Sequence, residues 1–397
     1  MEKACKYPIV FVHGLFGWGE DEGIDRKLPY WGATTGSLTD YLASFGQECY
    51  CASVGPISSI WDRACELYAR MTGTRVDYGK AHSAWAKHRR FGRTYTEPLV
   101  PGWSAEKKVH FVGHSFGGNT VRLLAHLLCF GDAREQAATD PDDLSPLFTG
   151  GNEALVQSIV TICSPHNGTF AFDTAKTFKL IPLMQFVTYN YASFVGRSPA
   201  ADHGFVDFHL EQYGLSNTPG RKDAFPISRA KKEYTKNKDN AEFDLSSEGA
   251  GKLNRLIEIC PHVYCFSYAY DAVVTTTSGK YVRTKTNFPM LKATSLLMQR
   301  YVRLKHKDPK DQHNDGLVQV TSALHPDDEP WIRFDGTIQG SGVWHVMKVR
   351  QGDHGTPIGL FADKEQTHAL YREILGLLHA AETQAAAQPT HSECGTM

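Results

Sequence analysis

The stretch KVHFVGHSFGGNTVRLLAHLL, Lys108 to Leu128, constrains the fold more than any other part of the chain. A short apolar run passes through Gly113-His114-Ser115-Phe116-Gly117-Gly118 and continues with apolar residues at helical spacing. A strand that reverses sharply into a helix needs small neighbours at the turn, because the turning residue is held in a strained conformation. Gly113 and Gly117 meet that need. Ser115 then projects beyond the carboxyl edge of its sheet, toward the unpaired amides that open the helix. Such a unit is a nucleophile elbow. A bare G-x-S-x-G loop also occurs by chance, so the flanking strand and helix carry the reading.

Elsewhere short apolar runs alternate with glycine-rich loops and helical patterns. This predicts an α/β fold, a mainly parallel sheet with helices on both faces. Strands are expected at Ile9 to Val12, Val109 to Val112, Ile159 to Cys163 and Val263 to Ser267, with further candidates near Leu317 to Val320 and Val343 to Val349. Asp363 to Ala387 reads as a long helix, with Asp363 and Gln366 as a capping pair. Residues 1–388 are expected to form one domain with insertions, and 389–397 a disordered tail.

The chain balances 42 basic against 43 acidic residues. That leaves no electrostatic footprint for nucleic acid or an anionic membrane, so a small or neutral partner is expected; the chain is also expected to be a monomer. No apolar run approaches the ~20 residues of a transmembrane helix. The nine cysteines are odd in number and lack C-x-x-C spacing, which predicts buried thiols and no disulfide framework. The opening residues lack an apolar core followed by a small-residue cleavage site. Either the protein stays inside the cell or a targeting segment has been removed.

A serine hydroxyl becomes a competent nucleophile only when a base takes its proton and an acid orients the base. On an elbow of this kind the chain order is serine, acid, histidine. His354, in the glycine-rich GDHGTPIG, is the expected base, with His345 as runner-up; His368 and His379 on the terminal helix are expected to be solvated. For the acid, Asp315 in the Asp-Gly turn of HNDGLVQV is preferred to Asp271 in YAYDAVV. The tetrahedral oxyanion needs two donors aimed at one point. The amide of Phe116 supplies one, and that of Leu15 in PIVFVHGLFGWG the other.

Ten blocks then recur in order: VHGLFGWG, YWG, WDRACELYA, VDYGKAH, RFGRTY, GHSFGG, SPHNGT, DFHLEQYGL, FDLS and NDGLV. Over roughly Tyr7 to His379 the chain resembles the thermoalkalophilic true lipases of bacilli, staphylococci and clostridia. The resemblance implies an α/β-hydrolase core and a triad of Ser115, Asp315 and His354. It also implies a structural zinc held by Asp62, His82, His88 and Asp244. Spacing alone does not announce that site, since His82 and His88 are six apart and share no single helical face. The zinc would tie an insertion over about 57–100 to a second piece over 216–250. Calcium is not expected, because the positions that hold it in the family are Thr356 and about Phe361 here.

The resemblance further implies secretion, and a lid over about 169–206 whose aromatic content also suits a buried helix broken at Pro182. The expected partner is an acyl ester at a lipid or polymer surface. An acyltransferase using the same acyl-enzyme, or a silent hydrolase fold used for binding, are the alternatives.

Overall fold

The computed structural model describes residues 3–177, 207–214, 237–277, 281–283 and 289–387. Its centre is a seven-stranded sheet in which every neighbouring pair runs parallel. In chain order the strands are β1 (Ile9–Val12), β2 (Cys49–Ala52), β3 (Val109–His114), β4 (Val156–Ile162), β5 (Tyr264–Tyr268), β6 (Trp331–Arg333) and β7 (Trp344–Val346). Across the sheet the order is β6-β7-β5-β4-β3-β1-β2.

Parallel strands joined by helical crossovers are covered on both faces, which is why β1, β3 and β4 are buried along their whole length. Alternate residues feed two cores. Val10, Val12, Phe111 and Ile159 pack with α2 (Ile60–Thr72) and with α4 (Phe116–Phe130) through Leu67, Met71, Leu123 and Leu127. Ile9, Phe11, Val112 and Val160 face α1 (Leu38–Ala43) and α6 (Lys364–Ala387), meeting Leu38, Leu42, Leu370, Ile374 and Leu378.

The four main strand expectations hold, and the terminal helix begins where Asp363 Oδ1 accepts the Gln366 amide at 2.9 Å. Leu317 to Val320 is not a strand. Asp315 Oδ1 accepts from the amides of Leu317 and Val318, so the local turn takes the donors a ladder would use, and Val320–Leu324 is a short helix. Strand β2 was not among the expected strands; C-Y-C-A carries a weak apolar signal, and its pairing with β1 makes it a strand. His368 is not solvated: it is buried and stacks on Tyr41 with ring centroids 3.6 Å apart.

The first insertion contains α2, α3 (Lys80–Ala86) and an antiparallel ladder of Arg75–Asp77 with Phe91–Thr94. Of the second piece, Ala241–Asp244 and Ser247–Asn254 are helices, while 216–236 lies outside the described residues. The expected lid begins as α5 (Phe170–Thr177), and 178–206 lies outside the described residues. Among the described residues no helix is long and apolar enough to cross a membrane.

Candidate active site and metal centre

Ser115 sits at the junction of β3 and α4 with φ 55° and ψ −126°, outside the regions a serine ordinarily prefers. Its amide donates to the Ile162 carbonyl at 2.8 Å, and its side chain caps nothing, which leaves the hydroxyl uncommitted to the helix. The glycines serve the close approach. A Cβ on Gly117 would run into the Val12 carbonyl, and one on Gly118 into the Ser164 hydroxyl. The strained turn is thus held between β1 on one side and the end of β4 on the other.

Two histidines and one aspartate gather at the same edge. His354 Nδ1 lies 2.7 Å from Asp315 Oδ2, and the His354 amide donates to the Asp315 carbonyl at 2.9 Å. The other Asp315 oxygen accepts from Leu317 N at 2.9 Å and Val318 N at 2.7 Å, so the buried carboxylate is fixed in place. Asp271 is engaged elsewhere: one oxygen meets His313 Nδ1 at 2.6 Å and the other accepts the Val273 amide. His345 lies buried within β7, its Nε2 accepting from the Gln339 amide at 3.0 Å.

A relay that the sequence reading did not single out links these parts. Burial, with His354 nearby, pushes His114 well below the ordinary histidine value, so it is neutral. Its Nε2 lies 3.0 Å from the His354 carbonyl, which can only accept, so that nitrogen carries the proton. The Nδ1 then accepts from the Tyr30 hydroxyl at 2.7 Å, and the Tyr30 oxygen accepts the Gly14 amide at 3.0 Å. One directed chain therefore joins the loop after β1 to the loop that bears His354. Its members Gly14, Tyr30 and His114 stand in the VHGLFGWG, YWG and GHSFGG blocks, but nothing in those blocks says that they are bonded to one another.

The loop after β1 passes directly against the serine: a Cβ on Gly14 would lie 2.8 Å from the Ser115 Cβ. Phe16 N donates to Pro56 O, and no bond to another described group engages the amides of Leu15 or Phe116. Fully buried Arg63 donates to the carbonyls of His13 (2.5 Å) and Gly55 (2.7 Å) and to Thr120 Oγ1 (2.9 Å), with its guanidinium 4.9 Å from the Phe116 ring. Burial lowers it to about 10, which still leaves it cationic at neutral pH. It clamps the loop to the first turn of α4.

A second cluster lies in the insertion. Asp62, His82, His88 and Asp239 place one ligand atom each within 4.8 Å of one another. This corrects the expected fourth member. Asp244 instead turns to the start of α2, where its Oδ2 accepts the Ile60 amide at 2.7 Å, while burial pushes its carboxyl up to about 8. Asp239 precedes a one-turn helix, Ala241–Asp244, and Asp244 ends it, five residues on; one-dimensional spacing cannot say which of them faces the histidines.

The separations suit a shared small cation. His82 Nε2 is 3.4 Å from Asp62 Oδ1 and 3.3 Å from Asp239 Oδ1; His88 Nε2 is 3.6 Å from Asp62 Oδ1 and 3.2 Å from Asp239 Oδ2. Tetrahedral ligands about 2.05 Å from a metal lie about 3.3 Å apart. Asp62 Oδ1, His82 Nε2 and His88 Nε2 are buried without a hydrogen-bond partner, a costly state that an ion would relieve. Around them the outer contacts set orientation: His88 Nδ1 faces Arg89 O at 2.8 Å, Gln212 Nε2 donates to Asp62 Oδ2 at 2.8 Å, and Trp61 stacks on His82. Burial opposes charge on both histidines, yet without an ion the two aspartates outweigh it and hold His82 up at about 9 and His88 at about 10; a bound metal would displace those protons.

A family described as lipase-like, C-terminal domain, matches residues 5–381. A lipase of Staphylococcus hyicus is 36% identical over 363 residues, covering 89% of this chain and 54% of its own length. The chain thus spans about half the length of the curated relatives it matches. Among solved structures, EstA from Clostridium botulinum superposes with a TM-score of 0.80 at 34% identity, covering 94% of this chain and 88% of its own. Lipase 1 from Pelosinus fermentans gives 0.77 at 34% identity, covering 98% and 100%. Similarity of this extent places the fold among the α/β-hydrolases.

Proposed function

The chain belongs to the family of bacterial true lipases, and from that premise we propose that it is a serine carboxylic ester hydrolase acting on water-insoluble acyl esters. The observation that carries this reading is the strained Ser115 at the sheet edge that also bears the His354–Asp315 pair. His354 takes the Ser115 proton as Oγ attacks the ester carbonyl carbon. The negative oxygen is received by the amides of Leu15 and Phe116, held in place by the Arg63 clamp. Collapse breaks the ester bond, and His354 hands its proton to the departing alcohol. A water, deprotonated by the same imidazole, then attacks the acyl-enzyme and releases the acid. Asp315 keeps the imidazole in the productive tautomer throughout.

Asp62, His82, His88 and Asp239 would hold a structural zinc, a closed four-ligand set that leaves no position for a reacting water. Triacylglycerols and aliphatic polyesters are the substrate classes in view. The test is titration with an organophosphonate ester. One label per chain on Ser115, with hydrolysis of p-nitrophenyl esters lost in parallel, is the expected result. Labelling at another residue, or full activity in Ser115→Ala, would refute the assignment.

A further inference from the structure

We propose that Cys129 and Cys260 form a disulfide when the protein meets an oxidant, which makes the far end of the nucleophile helix a redox modification site. Cys129 is the penultimate residue of α4, and Cys260 lies in the loop that leads into β5. Though 131 residues apart in the chain, their sulfurs are in contact at 2.9 Å. Joining them needs less than about 1 Å of further approach, since a disulfide bond is about 2.05 Å long.

The backbone on either side already holds the two thiols face to face. The Cys129 carbonyl accepts the Gly151 amide at 2.9 Å, and the Cys260 carbonyl accepts the Val263 amide at 3.2 Å. A third link spans the gap, because the Glu258 amide donates to His126 Nδ1 at 3.0 Å, one helical turn before Cys129. The neighbouring Cys265 has another contact, its Sγ facing the Val263 carbonyl. Sulfur-to-sulfur contact is thus made by Cys129 and Cys260.

Cys129 is half-buried and Cys260 is buried, so an external disulfide such as oxidised glutathione reaches Cys129 first. The Cys129 thiolate attacks it, forming a mixed disulfide and releasing one glutathione thiol. The Cys260 thiolate then attacks the Cys129 sulfur, closing the bond and releasing the second glutathione. Two protein thiols lose two electrons and two protons, and the glutathione disulfide gains both. Burial, together with the adjacent Cys260, pushes the Cys129 thiol up, so the exchange is slow and the pair stays reduced until oxidant is supplied.

The cross-link would tie α4 to the entry of β5 and close a long loop in the unfolded chain, which stabilises by restricting that state. It would form on the order of 20 Å from Ser115, at the opposite end of a 15-residue helix. The full-length protein is incubated with oxidised glutathione, blocked, and mapped without reduction by mass spectrometry. The expected result is a linked pair of peptides containing Cys129 and Cys260, and a melting temperature raised by about 5 °C over the reduced protein. Neither Cys129→Ser nor Cys260→Ala should show the rise, and either one suffices if the other fails to fold. Recovery of both cysteines as free thiols or as separate glutathione adducts would overturn the proposal.

Discussion

Asp315 and Asp271 are both buried aspartates, and their partners differ: Asp315 holds His354, whereas Asp271 holds His313. Asp315→Asn should therefore lower kcat by on the order of 10⁴-fold, through loss of the oriented tautomer. Asp271→Asn should leave kcat within about threefold, because its imidazole partner does not face the serine. Initial rates on a soluble ester compare the two, and the reverse ranking would displace Asp315. His166 offers a residue-level test of pH dependence. It is fully buried beside Thr161, and burial, aided by Arg122 and His325, holds it well below its ordinary value of 6.5. Below pH 6.5 the unfolded chain binds a proton there that the native protein does not, so stability falls as pH falls. His166→Gln removes that penalty. Its stability deficit relative to the parent, measured by denaturant unfolding, should shrink by about 2 kcal/mol between pH 8 and pH 5. A constant deficit would mean that His166 is protonated in the native state.

At the scale of elements, the seat of α4 against β1 sets where the nucleophile stands. Gly117 makes that seat possible, for a methyl group there would meet the carbonyls of Val12 and His13. These are backbone atoms of the strand and its exit loop, which cannot swing aside as a side chain can. Gly117→Ala should cost about 3 kcal/mol or more. The expected readout is a lowered melting temperature together with loss of phosphonate labelling at Ser115, since the same shift opens the contact between Gly14 and Ser115. An alanine variant that melts and labels like the parent would show that the helix can move off the strand at little cost.

For the whole molecule, the insertion and the piece near residue 240 are joined through Asp62, His82, His88 and Asp239. If they share a zinc ion, purified protein should contain about one zinc per chain. Its removal by a strong chelator should lower the melting temperature, because metal binding and folding are linked there. Asp239→Ala should abolish the metal content, while Asp244→Asn should retain it and weaken only the start of α2. Phosphonate labelling of Ser115 should survive chelation at moderate temperature. Immediate loss of labelling would place the ion in the reaction itself.

What the sequence determined alone was local: the strand, elbow and helix around Ser115, the Asp-Gly turn that presents Asp315, and the cap of the terminal helix at Asp363. Each depends on neighbours within a few residues, and short-range sterics and hydrogen bonding are written in composition and spacing. Resemblance extended that reading to a family and to a metal site. Which residues meet across long separations was decided only by the tertiary structure. Asp239 displaced Asp244 because Asp239, ahead of the one-turn helix, meets the histidines, while Asp244 at the helix's end meets the start of α2. The chain from Gly14 through Tyr30 and His114 to His354 joins four segments, and Arg63 joins two more. The Cys129–Cys260 contact is of the same kind. None of these contacts is announced by periodicity or spacing, because the sheet brings their segments together and no property of either segment alone specifies the other.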